Sequence, residues 1–126
     1  MAAITVSTDS SPGKAGKKNR YYGTSAANQA DTLTSTAVAE HKTQRLCYVT
    51  VSYSAAPTQT GITVTLDSGL GSAFDTLLTT GSANVQNNVY LPDGDLYLFS
   101  GDAIVVLAAA AGGVITGSVV IVTEDV

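Results

Sequence analysis

From Leu46 onward, apolar residues recur at every second position. Cys47, Val49, Val51 and Tyr53 alternate with Tyr48, Thr50 and Ser52, and Ile62, Val64 and Leu66 alternate with Thr63 and Thr65. A period of two puts successive side chains on opposite faces of a strand, one dry and one wet, and no segment carries the 3.6-residue stripe of a helix. Turn residues punctuate the pattern at 55–61, 67–72, Gly81-Ser82, Pro92-Asp93-Gly94, Ser100-Gly101-Asp102 and Ala111-Gly112-Gly113. Seven strands are therefore predicted, over 46–53, 62–66, 73–80, 84–91, 96–99, 103–110 and 114–123. The first two are expected to form a hairpin through 55–61. Short strands at these intervals, with no interleaved helices, predict an all-β fold, an antiparallel β-sandwich or jelly roll. The last strand breaks the alternation, with Val119, Val120, Ile121 and Val122 in a row. Such a strand needs cover on both faces, either as a central strand or through a neighbouring copy, and a homo-oligomer, a trimer, is expected.

The 44% hydrophobic content is ample for a core, whereas charged residues make up 13% against a typical fraction of about 25%. The surface is therefore mostly Thr, Ser, Asn, Gln and Gly. The few charges are unevenly divided. Before Leu46 there are six basic residues and three acidic ones, a net of +3; after it there are seven acidic residues and no base, a net of −7.

Between Ser10 and Lys42 the only large aliphatic residues are Leu33 and Val38. A segment so poor in burial cannot offset the entropy of ordering itself, so 1–45 is expected to be an extended basic N-terminal arm and 46–126 the β-sandwich domain. At the tip of the arm Ile4 and Val6 alternate with polar residues, and this short strand is expected to add to the sheet of a neighbouring protein. Lys14, Lys17, Lys18 and Arg20, followed by Tyr21 and Tyr22, complete the candidate partner-binding set. Basic residues beside aromatics also suit nucleic acid, but four charges are few and the acidic body would be repelled, so a protein surface is the better match.

Catalytic and metal chemistry find little material. His41 is the only histidine and lies in the charged run Glu40-His41-Lys42, which suits solvation better than a triad or a metal site. Cys47 shares a predicted face with Val49 and Val51 and reads as a small buried apolar residue. Asp93-Gly94-Asp95 lacks the further ligands of a calcium loop. Asp67 and Asp75 lack the tryptophans that usually line sugar-cleaving sites, and Gly69-Leu70-Gly71 lacks the third glycine of a dinucleotide loop. No enzyme activity and no cofactor are expected. The uncharged run 103–122 is long enough to span a bilayer, yet it is broken at Gly112-Gly113, flanked by acids and rich in β-branched residues, all of which argue for strands and against a membrane. The N-terminus has no charged start or apolar run of a signal peptide, so assembly in a cytoplasm is expected.

Three stretches carry a family resemblance: Val49-Thr50-Val51-Ser52-Tyr53-Ser54-Ala55-Ala56-Pro57-Thr58-Gln59-Thr60-Gly61-Ile62-Thr63-Val64-Thr65-Leu66-Asp67-Ser68-Gly69, then Tyr90-Leu91-Pro92-Asp93, then Gly101-Asp102-Ala103-Ile104. Over 46–126 the chain resembles small virion proteins of tailed bacteriophages, and within them head decoration, or cement, proteins. That resemblance implies a structural protein on the capsid surface, often trimeric, which binds the major capsid protein or another virion protein and braces the head. The alternative is a carbohydrate- or receptor-binding β-module of a phage tail or fibre, with Tyr22, Tyr53 and Tyr97 as sugar platforms.

Overall fold

The alternation in 46–53 becomes the long strand β4 (Gln44–Tyr53), and around it a computed structural model of the chain builds two antiparallel sheets. The structure describes residues 3–8, 16–58, 61–81 and 85–126, the first of these as backbone. The other strands are β1 (Ala3–Thr8), β2 (Lys18–Thr24), β3 (Asp31–Thr34), β5 (Thr63–Asp67), β6 (Thr76–Thr80), β7 (Asn87–Tyr90), β8 (Tyr97–Leu98), β9 (Ala103–Ala108) and β10 (Gly117–Asp125). One sheet runs β1-β2-β10-β4-β7, with β8 also on β4; the other runs β3-β9-β5-β6. Their inner faces share one core, in which Tyr21, Leu46, Val49, Val51, Val119 and Ile121 of the six-stranded sheet meet Leu33, Val64, Ile104 and Val106 of the four-stranded sheet. The fold is a β-sandwich, as the sequence pattern predicts.

All seven predicted strands are present as β4 to β10, but the 55–61 hairpin is not. β4 and β5 lie in different sheets, so that loop crosses from one layer to the other. The last strand is a central one: β10 is paired on one side with β2 and on the other with β4. Its Val119 and Ile121 face the core, while Val122, on the opposite face, is also buried at 1% exposure between its cross-strand neighbours Arg20 and Tyr48. Cover for Val122 therefore comes from within the chain.

The division at residue 45 is corrected by β2 and β3. Both are built into the sandwich, one in each sheet, and Tyr21, Leu33 and Val38 enter the core. Three apolar residues at alternating or isolated positions suffice, because the neighbouring strands supply the rest of the burial. The strand at the tip is likewise paired in its own sheet, with Ile4 opposite Gly23 and Val6 opposite Tyr21.

Cys47 is a second correction. The register of β4 on β10 slips between Val122 and Thr123, leaving Leu46 opposite Thr123 and Tyr48 opposite Val122. A bulge of this kind adds one unpaired residue and resets the phase of the strand. Leu46 and Val49 are thus both buried, and Cys47 is only half-buried.

Candidate functional site

The inward turn of Asn19, Tyr21 and Gly23 leaves Lys18, Arg20, Tyr22 and Thr24 on the outer face of β2, since alternate residues of a strand point to opposite sides. Ladder register extends these into rows across the six-stranded sheet. Lys18 lies beside Glu124 and then Arg45; Arg20 beside Val122 and then Tyr48. Tyr22 is followed by Val120, Thr50 and Val89, and Thr24 by Ser118, Ser52 and Asn87. Tyr22 and Tyr48 are half-buried and stand on either side of β10, two strand spacings apart and one row pair offset, which is roughly 10–12 Å. Between them runs an aliphatic strip, Val120 half-buried and Val122 buried, and around them lie the hydroxyls of Thr24, Thr50, Ser52 and Ser118.

The lower margin of this face is charged. Glu124 takes Lys18 Nζ at 3.6 Å on one carboxylate oxygen and Arg45 Nη2 at 3.3 Å on the other. The hydrogen bond to Glu124 raises the Arg45 pKa further and keeps the guanidinium charged. Arg45 Nη2 also lies 3.8 Å from Cys47 Sγ. Burial pushes the Cys47 thiol up, against the pull of Arg45 and Lys18, which favours the protonated form. Asp125 faces the other way, accepting from Asn19 Nδ2 at 3.0 Å and Gln44 Nε2 at 3.2 Å.

Of the predicted partner-binding residues, Lys18, Arg20 and Tyr22 come together here. Tyr21 does not: it is 3% exposed in the core, where burial raises its phenol pKa. Lys17 precedes β2, and its carbonyl accepts from Asp125 N at 2.7 Å. Lys14 lies outside the described residues, and so do the side chains of Ile4 and Val6. Among the proposed sugar platforms Tyr53 is buried at 7% and its phenol is raised by burial, which removes it from any surface. Tyr97 is exposed beside Asp95, whose carboxylate accepts its hydroxyl at 3.3 Å. Tyr48, Arg45 and Glu124 were missed, although Tyr48 stands in the wet half of the alternation with Thr50 and Ser52, and an aromatic ring there is the signal.

Other places offer less. A cleft of about 60 Å³ opens between β5, β6 and β7, lined by Ile62, Val64, Thr79, Asn88 and Tyr90, far below the several hundred Å³ usual for small-molecule pockets. Among the described residues no three His, Cys, Asp or Glu gather as a metal site, and no helix is long and apolar enough to cross a membrane. His41 is exposed, 3.4 Å from Glu40. Asp75 closes its own loop by accepting from Ser68 N at 2.9 Å, and Asp102 joins two loops by accepting from Gly69 N at 2.8 Å and Phe99 N at 2.9 Å.

No protein-family model and no curated protein sequence matches this chain. The solved structures it resembles include carbohydrate-binding modules and, over 29% of that protein's length, an exo-β-1,3-galactanase from Phanerochaete chrysosporium. One is the family 32 module from C. perfringens NanJ in complex with galactose, 9% identical over 96% of this chain and 93% of the other, with a TM-score of 0.47. A family 29 module complexed with mannohexaose is 9% identical over 99% and 92%, with a TM-score of 0.42. A low-affinity xylan-binding module from Roseburia intestinalis is 17% identical over 97% and 94%, with a TM-score of 0.35. Likeness at these scores carries no argument about what this chain binds. The capsid decoration reading is corrected by the fold itself: the free arm on which cementing was to depend is, over 16–45, part of the sandwich.

Proposed function

We propose that this chain is a non-catalytic carbohydrate-binding module whose site is the outer face of the six-stranded sheet. The observation that carries the reading is the pair Tyr22 and Tyr48, flanking the Val120 and Val122 strip among four hydroxyl side chains. Sugars present apolar C–H faces and a rim of hydroxyls. A tyrosine ring offers flat apolar area at small entropic cost, and Thr and Ser donate and accept at the rim. Two rings on one rigid sheet, separated across a central strand, suit an extended chain of sugar residues better than a single ring.

The test is a glycan array followed by calorimetry on the best ligand, with Tyr22→Ala and Tyr48→Ala alongside the parent protein. Binding weakened in both variants, with unchanged thermal unfolding, is the expected result. A ligand bound equally well by both variants would move the site off this face. Absence of any glycan binding at ordinary salt would overturn the reading.

A further inference from the structure

Among the strands whose side chains are described, β6 and β7 are the two that bury no residue. They stand at the same flank of the sandwich, β7 closing the six-stranded sheet and β6 the four-stranded one, with the small cleft of Ile62, Val64, Thr79 and Tyr90 between them. β6 is a poor template for a further strand, because its register on β5 slips at Leu78 and a bulge spoils an edge for pairing. β7 pairs with β4 without a slip. One bond fixes the direction of its backbone groups: Tyr53 N donates to the Gln86 carbonyl at 2.9 Å. Bonded and non-bonded pairs alternate along an antiparallel ladder, so Asn88 and Tyr90 bond to β4, and the N–H and C=O groups of Asn87, Val89 and Leu91 point away from it. Among the described residues no strand takes them up.

An open row of donors and acceptors takes an extended strand, and two apolar side chains on the same edge, Val89 at 64% and Leu91 at 67% exposure, are left in water without one. Charge favours a second copy of β7 itself as that strand. The run 76–92 carries no charge, so two such edges meet without opposing like groups. In an antiparallel pair centred on Val89, Val89 faces its own counterpart, Asn87 faces Leu91, and Asp93, the first acid beyond the run, faces Val85. The two copies of Asp93 then lie roughly 25 Å apart along the ladder, well beyond a screening length of about 8 Å. A two-fold axis through the Val89 pair, perpendicular to the sheet, keeps both outer faces on one side.

We infer that two copies of this chain join by their β7 edges, antiparallel and centred on Val89, into one continuous sheet. The joint stands on the edge alone; its consequence for binding rests on the proposed carbohydrate-binding face. Row by row, Tyr22, Val120, Thr50 and Val89 of one copy run on into Val89, Thr50, Val120 and Tyr22 of the other. The two Tyr48 rings come to stand roughly 20 Å apart on the shared surface. A long glycan engages both pairs of platforms and gains avidity that a short one does not.

The experiment is sedimentation equilibrium of the full chain, with no ligand added, from about 5 μM to about 1 mM, because a joint this short falls below the roughly 800 Å² per partner of a standard interface. A monomer–dimer equilibrium with a Kd on the order of 100 μM is expected. Val89→Lys sets two ammonium groups opposite each other at the axis, and Val89→Pro removes an outward N–H that the ladder with β4 does not use. Each should raise the Kd about tenfold or more, with thermal unfolding of the dilute protein close to that of the parent. A chain monomeric throughout the range overturns the inference and leaves the edge to a strand of another protein. A dimer indifferent to both variants, or a trimer, overturns it as well. Because no sugar is present, each of these failures leaves the carbohydrate reading standing, and that reading falls separately, on the glycan array.

Discussion

The two outer faces of this sandwich are made by the same alternation and have opposite chemistry. On the four-stranded sheet one row reads Thr32, Leu107, Thr63 and Thr80, and the next Thr34, Val105, Thr65 and Leu77. It holds threonine and aliphatic side chains, no aromatic ring, and a single charge, Asp67, at the end of β5. On the six-stranded sheet the corresponding rows hold Tyr22, Tyr48, Arg20, Lys18, Arg45 and Glu124. Threonine and valine satisfy a strand's own preference for β-branched residues, so the first face follows from the demands of folding alone. Tyrosine suits a strand as well, so it is the gathering of two rings and several charges on one outer face that singles this face out as the candidate site.

The contrast is broken or sharpened most strongly by one substitution made at the central strand of each sheet. Val122→Asp places a carboxylate at a position 1% exposed and is expected to cost about 2–4 kcal/mol, with Arg20 nearby softening the penalty. Leu107→Asp, at a position 42% exposed, is expected to stay within about 0.5 kcal/mol. Urea midpoints of the two variants measure the difference, and a Leu107 variant as damaged as the Val122 one would mean that the four-stranded face is covered in solution. Binding comes next. Tyr22→Ala and Tyr48→Ala should each weaken glycan affinity by about 1–2 kcal/mol, whereas Leu107→Ala and Thr65→Ala leave it unchanged by calorimetry; loss of affinity in the latter pair would put the ligand on the wrong face.

A smaller effect concerns charge kept inside rather than outside. Asp31, at the start of β3, is 1% exposed, and among the described residues neither carboxylate oxygen has a hydrogen-bond partner. Its carboxylate lies against Gly23, with Tyr53 within its field, and desolvation raises its pKa above the usual 3.8. For a carboxyl raised in the folded state, the unfolded chain ionises first. Stability is therefore full below about pH 3.8 and declines as pH climbs from there through the folded value. Asp31→Asn should accordingly gain on the order of 1 kcal/mol at neutral pH and nothing near pH 3. Thermal unfolding of the two proteins across that range decides it, and a gain that persists at pH 3 would assign the effect to packing instead of charge.

Strand existence was legible because it depends on local alternation and turn residues, and all of β4 to β10 follow from it. Which sheet each strand joins was not. The polar loop 55–61 reads as a hairpin yet carries the chain across layers, a choice made by core packing at residues far apart in sequence. The bulge at Cys47 was equally invisible, because Leu46-Cys47-Tyr48-Val49 alternates plausibly in either phase until β10 fixes the register. The N-terminal segment was misjudged by counting aliphatic residues: Tyr21 and Leu33 each fill a position whose surroundings come from other strands. Half of the candidate site, Lys18, Arg20 and Tyr22, was named as a binding set from its cluster of charge and rings. Tyr48 and Arg45 joined it only through pairing to β10.

The position of β10 also governs how such a chain acquires its shape. Residues 117–125 insert between β2 and β4, so those two strands, separated from β10 by about a hundred and about seventy residues of sequence, have no direct partner in each other. Loops of that length must close before the central ladder forms, and contacts so distant along the chain place a protein toward the slow end of the folding range. Until β10 arrives, β2 and β4 each expose an unpaired edge, and it is in that interval, rather than in the finished sandwich, that the chain is most open to pairing with the wrong partner.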